Sequence, residues 1–311
     1  MNFINETKFL QKTTGALEKS LLVRQDFIVR SNECDYRGRV HFSSIFSYFE
    51  EIAQTQVEVL GMNDDLKKDK SLVWILNRIH LKINDLPKWK DEIKLYTWQS
   101  KQNRIGFFRE FYLFDKAGKA LVAAKSFWTL MDINKRKLAS PTTVFPNENY
   151  YILKIHAVDE TLNNLRNNFA NFEHNSTRKI NYLVSYSDID ANKHMHNTKY
   201  VSLIRDAIDL QDLGDEIVSI QLNYSAEIYK GDLLEIRSTL LPYKTNLASS
   251  EMAEIKKTTE ASKKSQDKNQ NIAEDILTVA VDAKVINNIY GKEFKQDNIS
   301  FRSLVKIRKQ K

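Results

Sequence analysis

Hydrophobic positions in the first half of the chain predict one strand, one long helix and four further strands. Apolar and polar residues alternate from Leu21 to Val29, which is typical of a half-buried strand. The next apolar residues recur at steps of three and four, which predicts an amphipathic helix ending at Gly61: Phe42, Ile45, Phe46, Phe49, Ile52, Ala53, Val57 and Leu60. Four strand-like runs bounded by turn residues follow: Leu72–Ile83, Glu92–Gln102, Gly106–Phe114 and Ala120–Met131.

The second half of the chain has the same order of elements. A strand is predicted over Lys179–Tyr186 and a helix from about Asn197 to Leu210. Four strands are predicted after that helix: Glu216–Ile228, Leu233–Leu241, Asp275–Ile286 and Glu293–Val305. Pairing Asp35 with Asp190, an offset of 155 residues, superposes the apolar faces of the two helices. We therefore interpret the chain as two diverged copies of one unit.

Composition marks two segments that lie outside this repeated pattern. Residues 139–176 are rich in Asn, Pro, Thr and Glu and have weak periodicity, as in a linker. Residues 245–273 are polar, lysine-rich and nearly free of large apolar side chains, which predicts a solvated extension. We expect a first copy over 1–138, the linker, and a second copy over 177–311 that contains the extension.

Composition and charge narrow the classes of function. Eight glycines, none in a GxGxxG or GxxxxGK arrangement, leave no loop suited to nucleotide phosphates. Cys34 is the only cysteine, which excludes an intramolecular disulfide and a cysteine-built zinc site and fits a reducing compartment. The net charge is +7, but the 40 acidic residues are interspersed among the 47 basic ones, so nucleic-acid binding is not indicated. An acidic protein partner would fit this charge.

A polar stretch, SDIDANKHMHNTKY (Ser187–Tyr200), leads into the second predicted helix. A helix start offers free backbone N–H groups and the positive end of the helix dipole, which stabilise negative charge that develops on a substrate. Asp190, Asn192 and His194 stand at alternate positions and would face one side if this segment were extended. The matching loop of the first copy, Arg37–Arg39, carries no such set.

This stretch resembles the acyl-acyl carrier protein thioesterases of plants and bacteria, whose second half carries a motif close to SDLDVNQHVNNVKYI. Three more stretches are similar to segments of that family: WILNRIHLKINDLPKWKDEIKLYTW (Trp74–Trp98), SFWTLMDINKRKLASP (Ser126–Pro141) and LNYSAEIYKGD (Leu222–Asp232). The resemblance covers about Val23 to Val305, apart from the lysine-rich extension. It implies the α+β class and a tandem, or double, hotdog fold, in which two antiparallel sheets each wrap around a long central helix.

The resemblance also implies a set of catalytic residues. The family's catalytic aspartate, asparagine and histidine fall on Asp190, Asn192 and His194, and its catalytic glutamate falls on Glu227. The cysteine beside that glutamate in the family corresponds to Ile228 here, so a thiol nucleophile is not expected.

Thioester hydrolysis needs an activated water, donors for the oxyanion and help for the departing thiolate. We expect Glu227 to orient and deprotonate the water, directly or through His194. Asn192 and backbone N–H groups near Asn197 would polarise the carbonyl group. Two roles stay open for Asp190: it could hold His194 in the useful tautomer, or it could attack the carbonyl carbon directly.

The resemblance implies that the first copy houses the fatty acyl chain. The expected substrate-binding residues are Ile45, Phe46, Phe49, Trp74 and Asn197. The expected partner is the acidic acyl carrier protein, which the positive net charge would attract. No cofactor, metal ion, nucleic acid or membrane is expected, and a homodimer is left open. The opening stretch lacks the features of a signal or transit peptide, so we expect a bacterial cytoplasm; a mature plastid protein that has lost its leader stays open as the alternative.

Four alternatives compete with this hypothesis. An acyl-CoA thioesterase on the same fold differs only in its carrier, and a non-catalytic acyl-carrier sensor would not need all four polar residues. A hotdog hydratase is disfavoured because its DxNPxH pattern has a proline and places histidine one position later than His194. A metal site built on His194 and His196 is disfavoured because no other His or Cys shows a paired spacing.

Overall fold

The computed structural model describes residues 3–15, 21–62, 71–145, 152–165, 178–208, 216–241, 276–287 and 299–308. The helices within these ranges are α1 (Glu6–Lys12), α2 (Phe42–Val59), α3 (Pro141–Val144) and α4 (Asn197–Ala207). The strands are β1 (Leu22–Ile28), β2 (Leu72–Ile83), β3 (Glu92–Gln102), β4 (Phe107–Asp115), β5 (Ala120–Asp132), β6 (Lys137–Ala139), β7 (Arg178–Leu183), β8 (Glu216–Tyr224), β9 (Leu233–Leu241), β10 (Ile276–Asn287) and β11 (Ile299–Arg308). No described helix is both long and apolar enough to cross a membrane.

The strands of the described ranges form one antiparallel sheet in the order β1-β3-β4-β5-β2-β8-β11-β10-β9-β7, with β6 beside β5. From its outer edge inward, each half has the same strand order: β1-β3-β4-β5-β2 in the first copy and β7-β9-β10-β11-β8 in the second. This agreement confirms the predicted repeat. The halves join where Arg78–Lys82 of β2 pairs with Ser219–Asn223 of β8. At this junction the buried His80 ring lies 2.9 Å from the Ser219 hydroxyl. Burial lowers the pKa of His80 to about 3, so its imidazole is neutral.

The two long helices lie side by side on one face of the sheet and share a single core. Their apolar side chains and those of both sheet halves form one buried cluster, which contains Ile45 and Phe49 of α2 together with Val201 and Ile204 of α4. Phe49 stacks on Phe111 of β4, with ring centroids 4.4 Å apart. Because the core is shared, each helix packs against residues of the opposite copy as well as against residues of its own copy.

The outer face of the first half is buried as well, which explains why β3 is buried on both faces. Tyr96 and Trp98 of β3 pack around Phe9 of α1. Ala157 and Val158 complete this second cluster. They belong to the segment predicted as a linker, whose described part therefore lies against the sheet, while the domain boundaries themselves stay a prediction. The lysine-rich segment 245–273 lies outside the described residues.

Several element ends in the described ranges differ from the sequence prediction; strand β11, for example, ends at Arg308 rather than Val305. Helix α4 ends at Ala207 rather than Leu210. Strand β7 ends at Leu183, because a 3₁₀ turn over Tyr186–Asp188 follows it. The Asp188 carboxylate closes that turn by accepting the Ser185 N–H at 2.8 Å.

Strand β8 ends at Tyr224, so Glu227 lies in the loop between β8 and β9 and not on a strand as predicted. The N–H groups of Ser225 and Ala226 both donate to the Ser300 carbonyl group, at 2.8 and 3.2 Å. One carbonyl group cannot serve two successive residues of a regular ladder, so the pairing stops before Glu227.

An ion pair buried in the second half gives a test of this packing. Arg237 of β9 and Asp282 of β10 form two hydrogen bonds of 2.9 and 2.7 Å, and their side chains are only 3% and 2% exposed. Asp282→Ala leaves the guanidinium buried without its carboxylate and should lower the free energy of unfolding by about 3–5 kcal/mol in urea denaturation. Glu92→Ala, which removes the exposed partner of Lys116, should cost about 1 kcal/mol or less. Equal losses in the two variants would contradict this account.

Candidate active site

Residues Asp190–His194 form a tight turn immediately before α4. The Asp190 N–H donates to the His194 carbonyl group at 2.9 Å, and the Lys193 N–H donates to the Asp190 carbonyl group at 3.0 Å. Lys193 has a left-handed backbone with φ of +67°, which an extended segment does not contain. The prediction that Asp190, Asn192 and His194 share one face through extended alternation is therefore wrong.

The Asp190 carboxylate closes this turn. Its Oδ1 accepts the N–H groups of Asn192 at 2.8 Å and His194 at 3.2 Å. Its Oδ2 lies 3.4 Å from the Asn192 side-chain nitrogen. Asp190 thus contacts His194 through the backbone, while its carboxylate and the Asn192 amide lie together.

The first copy builds the same turn around Asp35. Its Oδ1 accepts the N–H groups of Arg37 at 2.8 Å and Arg39 at 3.0 Å. Gly38 adopts the same left-handed conformation, with φ of +71°. Because both copies contain this hydrogen-bonded carboxylate, it belongs to the architecture of the repeat. The side chains that follow Asp190 distinguish the second copy.

His194 lies beside Glu227 and Tyr229. Its Nε2 is 3.6 Å from Glu227 Oε2, and the Tyr229 hydroxyl donates to the same oxygen. Burial and this hydrogen bond raise the pKa of Tyr229 to about 12, so its phenol stays a donor at neutral pH. The Met195 N–H donates to the Ile228 carbonyl group at 2.8 Å and holds the two loops together. The Glu227 side chain is 55% exposed, so water can reach the pair.

A cavity of about 400 Å³ opens beside the turn and lies between the two copies. The first copy contributes Glu50, Ala53, Gln54, Val57, Val73, Trp74, Gln99, Phe107, Arg109 and Trp128. The second copy contributes Asp190, Ala191, Asn192, His196 and Asn197. The apolar wall therefore comes from one copy and the polar mouth from the other.

The structure divides the predicted site residues into groups. Asp190, Asn192, Asn197 and Trp74 line the cavity, whereas His194 and Glu227 pair outside its lining. The remaining predicted substrate-binding residues are not among the lining residues and lie fully in the core of the described chain: Ile45, Phe46 and Phe49. Helix α2 turns a different face to the cavity, with positions at helical spacing from Glu50 to Val57. The assignment of these residues to substrate stays a prediction.

A cation is buried in the cavity wall. Arg109 Nη1 donates to Gln56 Oε1 and to Thr97 Oγ1, the latter at 3.3 Å. Burial lowers the pKa of Arg109 to about 9. The cavity therefore combines aromatic walls with a polar end, and Gln56 is itself held by donating to the Leu21 carbonyl group at 2.9 Å.

Sequence reasoning missed Glu50, Arg109 and Tyr229 as parts of this region. Glu50 and Arg109 stand in an ordinary helix and an ordinary strand, and their place in the cavity depends on long-range packing. One signal for Tyr229 was available in the sequence, namely its position two residues after the predicted catalytic Glu227. Among the described residues, no three His, Cys, Asp or Glu side chains cluster as ligands of a metal ion would.

Comparisons with known proteins agree with this architecture. The family model described as acyl-ACP thioesterase N-terminal domain matches residues 20–145, and the C-terminal domain model matches residues 172–302. The acyl-[acyl-carrier-protein] hydrolase FATB2 of Cuphea viscosissima is 25% identical over 240 residues, which cover 73% of this chain and 57% of that protein. Oleoyl-acyl carrier protein thioesterase 2 of Arabidopsis thaliana is 27% identical over 244 residues, which cover 72% and 64%. The chain thus spans less than two thirds of these relatives.

Two solved structures share the fold. The 12:0-ACP thioesterase from Umbellularia californica matches with a TM-score of 0.71 at 18% identity, covering 98% of this chain and 100% of that one. An acyl-ACP thioesterase from Bacteroides thetaiotaomicron matches with a TM-score of 0.65 at 18% identity, covering 93% and 98%. These likenesses confirm the α+β tandem hotdog that the sequence resemblance implied. With both family models matched across most of its length, this chain belongs to the acyl-ACP thioesterase family.

Proposed function

We propose that this protein hydrolyses the thioester between a fatty acyl chain and acyl carrier protein and releases the free fatty acid. The observation that carries this proposal is the cavity between the copies, whose aromatic walls fit an acyl chain and whose mouth carries Asp190 and Asn192. His194 of the same turn pairs with Glu227 of the β8–β9 loop, where water can reach both side chains. Membership of the family and the names of the relatives support the same chemistry.

In the proposed reaction, an oxygen of water attacks the carbonyl carbon while its proton passes to the Glu227 and His194 pair. The Asn192 amide and the start of α4 stabilise the oxyanion. The carbon–sulfur bond then breaks, and the thiolate takes up the proton from His194. Tyr229 holds the Glu227 carboxylate in place through its hydroxyl.

The geometry favours an orienting role for Asp190 over direct attack. Asp190 orients the backbone of the turn and not the tautomer of the His194 imidazole, because its carboxylate accepts the His194 backbone N–H. Its Oδ1 already accepts two backbone N–H groups, and Asp35 makes the same bonds in the copy whose loop is basic. An oxygen engaged in two hydrogen bonds is a weaker nucleophile, and the turn that it closes presents Asn192 to the cavity mouth. The acidic carrier would dock through the excess of basic residues.

The decisive assay measures the thiol freed from acyl carrier protein loaded with octanoyl, dodecanoyl or hexadecanoyl chains, beside the matching acyl-CoA compounds. We expect turnover with kcat/KM at least about tenfold higher on the protein carrier, because only that carrier adds a charged docking surface. Faster turnover of acyl-CoA would favour an acyl-CoA thioesterase. Tight binding without thiol release would favour a sensor.

Substitution of Asp190 distinguishes the two roles left open for it. Asp190→Asn keeps an oxygen that can close the turn and should retain kcat within about tenfold of wild type, whereas Asp190→Ala should lose about a further tenfold or more. Asp35→Ala, the matched change in the first copy, should lower stability without a comparable loss of kcat. If the Asn variant is as inactive as the Ala variant and wild type yields a trapped acyl-enzyme, Asp190 attacks directly.

Substitution of Glu227 tests the proposed base. Glu227→Gln removes the proton acceptor and should lower kcat by about 10²–10⁴-fold. Because this side chain is largely exposed, the thermal midpoint should stay near that of wild type. Tyr229→Phe removes only the hydrogen bond that holds Glu227 and should cause a smaller loss. Near wild-type turnover in a folded Glu227→Gln protein would show that the base lies elsewhere.

A further inference from the structure

A buried polar patch, formed by Gln99 of β3 and Arg109 of β4, interrupts the apolar wall of the cavity between the copies. Both residues line this cavity, although only 1% and 4% of their surfaces are exposed. They stand directly opposite each other in the register of the two strands, so their Cβ atoms lie about 5 Å apart on one face of the sheet. The polar patch therefore presents an amide and a guanidinium to the same part of the cavity.

The hydrogen bonds of the polar patch are incomplete within the described part of the chain. Arg109 donates through Nη1 alone, to Gln56 and Thr97, and its Nε and Nη2 have no partner there. Gln99 Oε1 is buried and also has no partner among the described residues, while the Gln99 amide nitrogen makes one long contact of 3.9 Å with Met62 Sδ. Buried polar groups are as a rule hydrogen-bonded. Open donors and an open acceptor beside a cavity therefore call for a ligand group that serves both.

The polar patch lies well inside the cavity, away from its polar mouth. At the mouth, Glu50 of α2 stands 3.6 Å from His196 of the second copy, and Asp190 lines the same region. Gln56, which accepts from Arg109, follows Glu50 by six residues on the same helix, a rise of about 9 Å. An acyl chain that enters from the Asp190 turn would thus pass the polar patch with the middle of its length, not with the carbons next to the thioester.

A hydroxyl group suits the polar patch better than other polar substituents of an acyl chain. Its oxygen can accept from Arg109 while its hydrogen is donated to Gln99 Oε1, so that one group serves both residues. Because only the long contact with Met62 holds the Gln99 amide, this amide can turn toward such a group at little cost. A ketone oxygen only accepts and leaves Gln99 Oε1 unpaired. A second carboxylate is disfavoured because Glu50 and Asp190 already line the cavity against one guanidinium.

We propose that the cavity selects a fatty acyl chain with a hydroxyl group near its middle, an inference that rests on the proposed function. The hydroxyl accepts from Arg109 and donates to Gln99, while Trp74, Phe107 and Trp128 pack against the methylene groups on either side. An unsubstituted chain covers the same guanidinium and amide with hydrocarbon and leaves them unpaired, which costs free energy.

The activity test measures thiol release from acyl carrier protein loaded with four hexadecanoyl chains: unsubstituted, hydroxylated at successive mid-chain carbons, hydroxylated at the β carbon, and carrying a mid-chain ketone. For wild type, kcat/KM should be about tenfold or more higher with the best mid-chain hydroxyl than with the unsubstituted chain, because a site that bonds a hydroxyl rejects the analogue without it. The β-hydroxyl stays near the mouth and should give no gain. The ketone should remain below the hydroxyl.

Substitution of Gln99 tests whether the polar patch is the cause of this preference. Gln99→Leu replaces the amide by an apolar side chain and should remove most of the preference, with higher kcat/KM on the unsubstituted chain. Gln99→Met is a second apolar replacement that serves if leucine does not pack. Gln102→Leu is the matched control, because Gln102 stands on the same strand and has a buried Oε1 without a partner in the described chain, yet is not among the lining residues. This control should keep the wild-type preference.

A binding measurement does not depend on turnover. In titration calorimetry, wild type should bind free mid-chain hydroxyhexadecanoate about tenfold or more tighter than hexadecanoate, and Gln99→Leu should bind the two alike.

The outcomes separate this inference from the function on which it rests. Active wild-type protein that treats hydroxylated and unsubstituted chains alike, or that turns over the ketone as fast as the hydroxyl, overturns the hydroxyl preference and leaves the thioesterase function standing. A preference that Gln99→Leu retains overturns the role of the polar patch. Wild-type protein that releases no thiol from any carrier, yet binds the hydroxy acid more tightly, overturns the proposed function and supports the polar patch as the recognition site. Neither release nor selective binding overturns both.

Discussion

The pairing of β2 with β8 is the constraint on which the candidate site depends. It joins the two sheet halves through Arg78–Lys82 and Ser219–Asn223. A shift of one residue in this register would move every side chain of β8 to the other face of the sheet. Because α2 and α4 then share one core, the pairing also sets each helix beside the turn of the opposite copy. The cavity exists only because the copies are held in this relation.

Within this symmetric frame the chemistry is asymmetric. Both turns are closed by an aspartate, and both are followed by a helix at the same offset. The first turn continues with two arginines, whereas the second continues with Asn192 and His194. Divergence has thus kept the hydrogen bonds that build the turn and has changed the groups that it displays.

The cavity also shows a tension between burial and chemistry. Trp74, Phe107 and Trp128 give it apolar walls, and yet Arg109 and Glu50 are charged groups held within the same lining. Burial lowers the pKa of Arg109 and raises that of Glu50, and in both cases the ionised form is the one that burial disfavours. Hydrogen bonds from Arg109 to Gln56 and Thr97, and the His196 ring that lies 3.6 Å from Glu50, offset part of this cost.

Much of the fold could be predicted from the sequence, since periodicity reports which face of each element is buried. Strands β2 and β3 and the start of α2 fall where the apolar pattern placed them, and the repeat offset superposes both turns. The tight turn at Asp190 was missed because Lys193 occupies its left-handed position. Gly38, at the matching position of the first copy, was the signal that could have revealed it.

The sequence by itself determined the elements, their order, the repeat and the polar stretch before α4, because these follow from local spacing and from motif resemblance. Only the tertiary structure decided which side chains meet. It separated His194 and Glu227 from the cavity lining, buried Ile45, Phe46 and Phe49 in the core, and brought Glu50 and Arg109 to the cavity. The reason is that a local pattern tells which face of a helix or strand is apolar, whereas the neighbour of that face is chosen by the register between strands far apart in the chain.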